Sequence, residues 1–161
     1  MAEIVYVLKV DGIPGESTAA RHKGEIDVLS WNWSELLAVP SAGGGGASGK
    51  VQMRPLHVTA PTSQASPKLF LACANGQHIK EAVLTVVRKL KGKRQDFLVI
   101  KLTDVLVISY QVGGGQPESQ PVDGFDLDFS KIEVEYTPLK ADGSPGNLVK
   151  AGWDLKANKA V

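Results

Sequence analysis

The stretch EIDVLSWNW, residues 25–33, decides how the fold is read. Alternate side chains of an extended strand point to opposite faces. Trp31 and Trp33 therefore share one face, and Ser30 and Asn32 share the other. Indoles of this size belong against a core, so Trp31 and Trp33 are expected inside and the small, polar, uncharged pair outside. The same alternation recurs along the chain. In KVQMRPLHVTA (50–60), Val51 and Met53 alternate until Pro55, after which Leu56 and Val58 take the opposite parity. Such a change of phase at a proline predicts a bulge or an edge.

Other segments follow that pattern. Residues 4–10 are an apolar, β-branched and aromatic run, and DGIPG (11–15) predicts a type II turn with Pro14 and Gly15 at its centre. Residues 79–89 are apolar on both parities, which predicts a strand buried on both sides, and KGKRQD (91–96) is a charged hairpin connection. Residues 97–112 carry the longest strand signal, but Asp104 falls on the apolar parity. A buried, unpaired carboxylate is costly, so a bend is expected at Thr103-Asp104. Phe125, Leu127 and Phe129 alternate, then Ile132, Val134 and Tyr136 do so on the other parity, placing another slip near Ser130. GWDLK (152–156) closes the pattern. One helix is expected, over residues 66–74, with Ser66 as N-cap, Pro67 in the first turn and Asn75-Gly76 ending it. Leu69, Ala72 and Cys73 form its apolar face, and Leu69 and Cys73 are assigned to the core. Repeated slips require sharply bent strands, as in a closing barrel. The fold class is thus mainly β, a bent antiparallel β-barrel of two packed sheets with one short flanking α-helix, in a single domain over residues 1–161.

Composition narrows the function. The 161 residues are 43% hydrophobic and 22% charged, with a formal net charge of +1. A nucleic-acid partner would call for a basic surface; the near-neutral balance also leaves little repulsion against stacking of like subunits. No apolar run reaches the length of a membrane span, so no membrane insertion is expected. The start, MAEIVYVLKVDG, lacks the regions of a secretory signal, and cytoplasmic synthesis is expected. The single Cys73 excludes an intrachain disulfide. His22, His57 and His78 match no zinc spacing, and no nucleophile, metal or phosphate-binding motif is present. Asp126 and Asp128 share a strand face opposite Phe125, Leu127 and Phe129, which is the pattern of a solvated outer surface, as with Glu133 and Glu135. The reading is no catalytic residue, no metal and no cofactor.

Several segments together resemble the haemolysin-coregulated protein (Hcp) family, the tube component of type VI secretion systems. They are GES (15–17), EIDVLSWNW (25–33), the Gly-rich loop followed by GKV (49–51), SPKLFLACANGQH (66–78), DVLVISYQVGGG (104–115), FSKIEVEY (129–136) with the following KADG, and GWDLKANK (152–159). They run in family order over almost the whole chain. The departures are a slightly longer, more apolar start and the proline in DGIPG.

The resemblance implies a homohexameric ring with a wide lumen. It implies stacking of rings into a tube, a surrounding contractile sheath, a spike protein at the tip, effector proteins carried in the lumen, and secretion through the type VI system. In that setting Ser30 and Asn32 are expected to face the lumen, although Asn32 also fits an ordinary exposed strand position. SAGGGGASG (41–49) reads either as a plain linker or, through Gly43, Gly44, Gly45 and Gly46, as a loop that reaches the adjacent ring. Two other readings compete. One is a monomeric barrel binding a small ligand, with Trp31, Trp33 and Trp153 lining its pocket. The other is an effector enzyme, disfavoured by the missing nucleophile and by a chain that stops soon after Lys159.

Overall fold

The computed structural model describes residues 3–39 and 49–161. The first strand, β1 (Glu3–Val10), is the expected β-branched run. The chain then turns at Asp11 and Gly12, and Gly12 supplies the left-handed backbone at φ 78°. The type II turn expected at Pro14-Gly15 is not there. Gly15 is needed for closeness instead: its N–H donates to the Gly24 carbonyl at 2.8 Å, and a Cβ would stand 2.5 Å from the Glu25 carbonyl oxygen.

Residues 25–33 do not form one strand. β2 (Ile26–Val28) pairs with β1, whereas β3 (Ser30–Asn32) pairs with β6 (Leu56–Pro61). Between them Leu29 is exposed, and its N–H donates to the Thr59 carbonyl at 2.7 Å. The inward parity changes at this residue: Ile26 and Val28 are buried before it, and Trp31 and Trp33 pack against the core after it. The two indoles are half-buried, so they border the core and do not fill it.

A separate two-stranded sheet is made by β4 (Glu35–Leu37) and β5 (Val51–Met53). The Gly-rich segment joins these strands, and the proposal for Gly43, Gly44, Gly45 and Gly46 lies outside the described residues. The Pro55 phase change falls between β5 and β6, strands of different sheets.

The helix α1 (Ser66–Asn75) ends on Gly76 in the left-handed region, φ 65°. Its start differs from the expected one. Ala65 is the N-cap and makes no side-chain cap, because the Ser66 hydroxyl is drawn inward to donate to Asp123. Leu69 and Ala72 are buried, while Cys73 is only half-buried at the edge of the core.

β7 (Ile79–Leu90) pairs with β1 and with β8 (Lys93–Gly113) through the hairpin turn at Lys91 and Gly92. Leu84, Thr85, Val86 and Val87 are all buried, which agrees with a strand covered on both faces. After β8 come β9 (Val122–Asp128), β10 (Lys131–Tyr136), β11 (Val149–Asp154) and the short β12 (Lys159–Ala160). One sheet has the order β12-β11-β10-β8-β7-β1-β2, and β3-β6-β9-β8 makes the second. β8 serves both, and the β2–β3 segment links their other edges. The pairings therefore run in a closed circuit, β8-β7-β1-β2/β3-β6-β9 and back to β8, around Phe125, Leu8, Leu84, Leu102 and Leu127.

The bend of β8 is where the sequence placed it. β8 pairs with β7 through Val105 and with β9 from Leu106 on. Asp104 sits there at φ 57°, tolerable for an aspartate. It accepts hydrogen bonds from Ser130 Oγ (2.7 Å) and Lys156 Nζ (3.0 Å) and meets His78 Nδ1 (2.9 Å). Ser130 first, then His78 and Lys156, hold its carboxyl well below the usual carboxylate range. The same Ser130 marks the break between β9 and β10.

His22 is buried between two acids, with Nδ1 2.8 Å from Glu25 and Nε2 3.1 Å from Asp96. Burial pulls its pKa down, but the hydrogen bonds and charges of Asp96 and Glu25 outweigh this and raise it above 6.5. A raised folded pKa gives stability that is complete below the unfolded value and fades as pH rises through the folded one. His22→Gln should therefore lower the unfolding midpoint more at pH ~5.5 than at pH ~8. Thermal scans of both proteins at the two pH values check this; an equal loss at both would remove His22 as the source.

Candidate functional site

The outer face of the β3-β6-β9-β8 sheet carries the residues singled out in the opening stretch. Register places Ser30 beside Thr59, Thr59 beside Gly124 and Gly124 beside Gln111. One step along, Asn32 lies beside His57, His57 beside Asp126 and Asp126 beside Ser109. These are two parallel rows across four strands. The intervening row, Trp31, Val58, Phe125 and Tyr110, faces inward, with Val58 and Phe125 fully buried. Ser30, Asn32, Ser109 and Gln111 are exposed, and Thr59, His57 and Asp126 partly so.

The first row carries no ionisable group. Its centre is flat because Gly124 has no side chain; a Cβ there would stand 2.9 Å from Gln111 Nε2, which lies over it. The second row holds one bonded pair, His57 Nδ1 to Asp126 Oδ1 at 2.9 Å, with the Ser109 hydroxyl donating to the other carboxylate oxygen. In this ordering the carboxylate stands in the middle, and among the described residues no hydrogen bond joins His57 to Ser109, so the serine lacks the imidazole partner of an activated nucleophile. Chemically the face can offer hydrogen bonds of both senses without a strong field. Sequence reasoning found Ser30 and Asn32 but missed His57, Thr59, Asp126 and Ser109 as their neighbours. The signal was present: His57 and Thr59 take the parity opposite Leu56 and Val58, and Asp126 that opposite Phe125 and Leu127.

Beneath this face lies a buried carboxylate. Asp123, 1% exposed, accepts the hydroxyls of Thr62 (3.0 Å), Tyr110 (3.1 Å) and Ser66. It ties the start of α1 to β8 and β9. Burial first, and then the neighbouring negative charge of Asp123, push the Tyr110 phenol up, against an opposing pull from Ser66.

The tryptophans do not converge on a ligand pocket. Trp31 and Trp33 lie at β3, with Trp31 edge-on to Tyr6 at 6.2 Å, whereas Trp153 lies on β11 opposite Ile132. Three open grooves, beside β1, at the Gly12 turn and beside the β7–β8 hairpin, are lined by other residues. Among the described residues no cluster of three His, Cys, Asp or Glu side chains is placed to hold a metal ion.

The family described as "Type VI secretion system effector, Hcp" matches residues 7–136. The chain belongs to the Hcp family. It is 38% identical over 154 residues to "Protein hcp1" of Pseudomonas aeruginosa, covering 94% of each chain. Among solved structures, a type six secretion system protein aligns at a TM-score of 0.90 with 31% identity, over 99% of this chain and 100% of that one. Hcp1 from Salmonella typhimurium aligns at 0.79 with 32% identity, over the full length of both chains. Hcp proteins are structural tube components of type VI secretion, not enzymes, and this chain is an Hcp protein of that system.

Proposed function

We propose that six copies of this chain close into a ring with the polar rows of the β3-β6-β9-β8 sheet lining its bore. Rings stack into a tube inside a contractile sheath, behind a spike protein, and carry effector proteins in the lumen. The observation that carries this reading is the pair of rows headed by Ser30 and Asn32, a continuous polar surface across four strands. A wall of this kind can hydrogen-bond many partners weakly without gripping any one.

Closure of the ring is supported by apolar surface elsewhere on the subunit. Leu36 and Leu37 on β4 and Val39 beyond it are exposed, as are Phe70 and Leu71 on α1 and Leu148 and Val149 at β11. Large apolar side chains left exposed on the subunit are what an association surface would cover. The Gly-rich segment acts between rings rather than within one. Fixing a glycine-rich backbone costs on the order of 1–2 kcal/mol per residue, so a contact made by this sequence is modest per subunit and gains by repetition around the ring.

Three measurements test this. The protein should sediment with a mass near six times 17.1 kDa and give annular particles in electron micrographs. A lone monomer at every concentration ends the proposal. Asn32→Arg should leave the ring mass unchanged but strongly reduce retention of effectors co-purified with it, since the substitution adds a long cation at every copy. Retention at the wild-type level would remove the polar rows from the lumen. Shortening the segment of residues 41–48 should spare hexamers and stop tube growth; loss of the hexamers themselves would assign that segment to the ring.

A further inference from the structure

A groove of about 970 Å³ opens between the tip of the β7–β8 hairpin and the turn at residues 137–145. It is lined by six cations, Arg21, Arg88, Lys91, Lys93, Arg94 and Lys140, and two acids, Asp96 and Asp142. Both acids are engaged elsewhere. Asp96 bonds His22, and Asp142 accepts the backbone N–H and the hydroxyl of Ser144. Among the described residues none of the six cations makes an ion pair. The groove thus carries a formal +4 in a chain whose total is +1, so the rest of the chain carries a formal −3.

A second observation concerns Arg88. The Arg88 guanidinium stacks on the Phe97 ring at 4.1 Å, and its Nε and Nη2 are buried with no hydrogen-bond partner. Gln95 Nε2 is buried and unpartnered as well. Unpartnered buried donors are uncommon, and the indole N–H groups of Trp33 and Trp153, which do not line this groove, share the condition; what marks Arg88 is that, among the described residues, its charge has no ion-pair partner. A stacked, fixed guanidinium is also the group best suited to a planar carboxylate. The walls add Leu90, Leu139 and Pro145, so the groove is amphipathic as well as basic.

We propose that this groove docks an acidic polypeptide segment of another protein. Its carboxylates would face Arg88, Lys93, Arg94 and Lys140, and an apolar side chain would lie on Leu90 and Leu139. A nucleic acid fits less well: it needs a basic stripe that follows a long backbone, and the net negative remainder of this chain repels a polyanion that extends beyond the groove. The proposal is independent of the ring.

The test uses the whole protein and a short fluorescein-labelled peptide of glutamates interrupted by leucines. Anisotropy should show saturable binding that weakens about tenfold as salt rises from about 0.05 to 0.2 M, as expected for exposed charges under screening. Lys93→Glu/Arg94→Glu should weaken binding at least about tenfold. Both positions are exposed on the hairpin, so the thermal midpoint and particle mass should stay those of the parent. The same peptide with glutamine for glutamate should not bind. Four results overturn the proposal. They are no saturable binding, equal binding by the double variant, tighter binding of a single-stranded DNA of matched charge, and loss of particle mass in the double variant, which would mean that a second copy covers the groove.

Discussion

Asp123→Ala should destabilise the subunit by about 3–4 kcal/mol and lower its unfolding midpoint by roughly 6–15 °C. The side chain is 1% exposed and is the common acceptor for Thr62, Ser66 and Tyr110, which come from the loop before α1, from its first turn and from β8. Alanine leaves three hydroxyls inside the barrel wall without their acceptor, and an unmade buried hydrogen bond costs the desolvation of the group left behind. Asp123→Asn keeps the volume and one carbonyl oxygen, so it should cost less than half as much. Circular dichroism during heating and a urea titration would read both. A loss below about 1 kcal/mol for the alanine variant would show that the hydroxyls find other acceptors.

Phe125→Ala should cost about 3–5 kcal/mol, the usual range for emptying a fully buried aromatic site. Phe125 is 0% exposed and heads the largest fully buried side chains of the molecule. It stands between Val58 and Tyr110 in the inward row of the second sheet. The gap left by alanine is bounded by strands held in a closed circuit of ladders, which limits collapse around it. Phe125→Leu should recover more than half of the loss. If alanine and leucine prove equal, the site relaxes freely and the circuit is less rigid than its pairing implies. Both substitutions leave the outward rows untouched, so they test the wall and not the face it presents.

Much of this architecture was legible because breaks in parity carried a chemical mark. Pro55 cannot sit inside a ladder without losing a donor, Asp104 cannot enter a core unpaired, and Ser130 interrupts two clean alternations; all three fall where the chain changes sheet. Leu29 makes the same transition without a mark. It is apolar, flanked by strand-forming residues, and a one-residue shift between Val28 and Trp31 is hidden when the segment is read as a unit. The helix start was misread for a different reason. Ser66 is a good capping residue in isolation, but its hydroxyl is taken by an aspartate 57 positions away. Gly15 was read for its backbone freedom, whereas Gly12 supplies the left-handed turn and Gly15 supplies room beside Glu25 and Ile26. Ser30 and Asn32 could be assigned to an outer face from two residues of alternation. Alternation within each strand marks His57 and Asp126 as outward too, but that they lie beside Asn32, with Ser109 next to Asp126, could not be read, because adjacency across a sheet depends on register, which no single strand reveals.

The two segments that pair in one layer and then in the other, β2–β3 and β8, also govern how a push along the subunit is borne. In an ordinary sandwich, layers held only by side chains can shear past one another at the cost of repacking. Here any sliding would have to tear backbone ladders at both crossings at once, so the two crossings rivet the layers together. A component loaded suddenly at one end would then transmit the thrust through its covalent chain and ladders, and the protein would yield first at its loops and hairpin tips rather than by delamination of its wall.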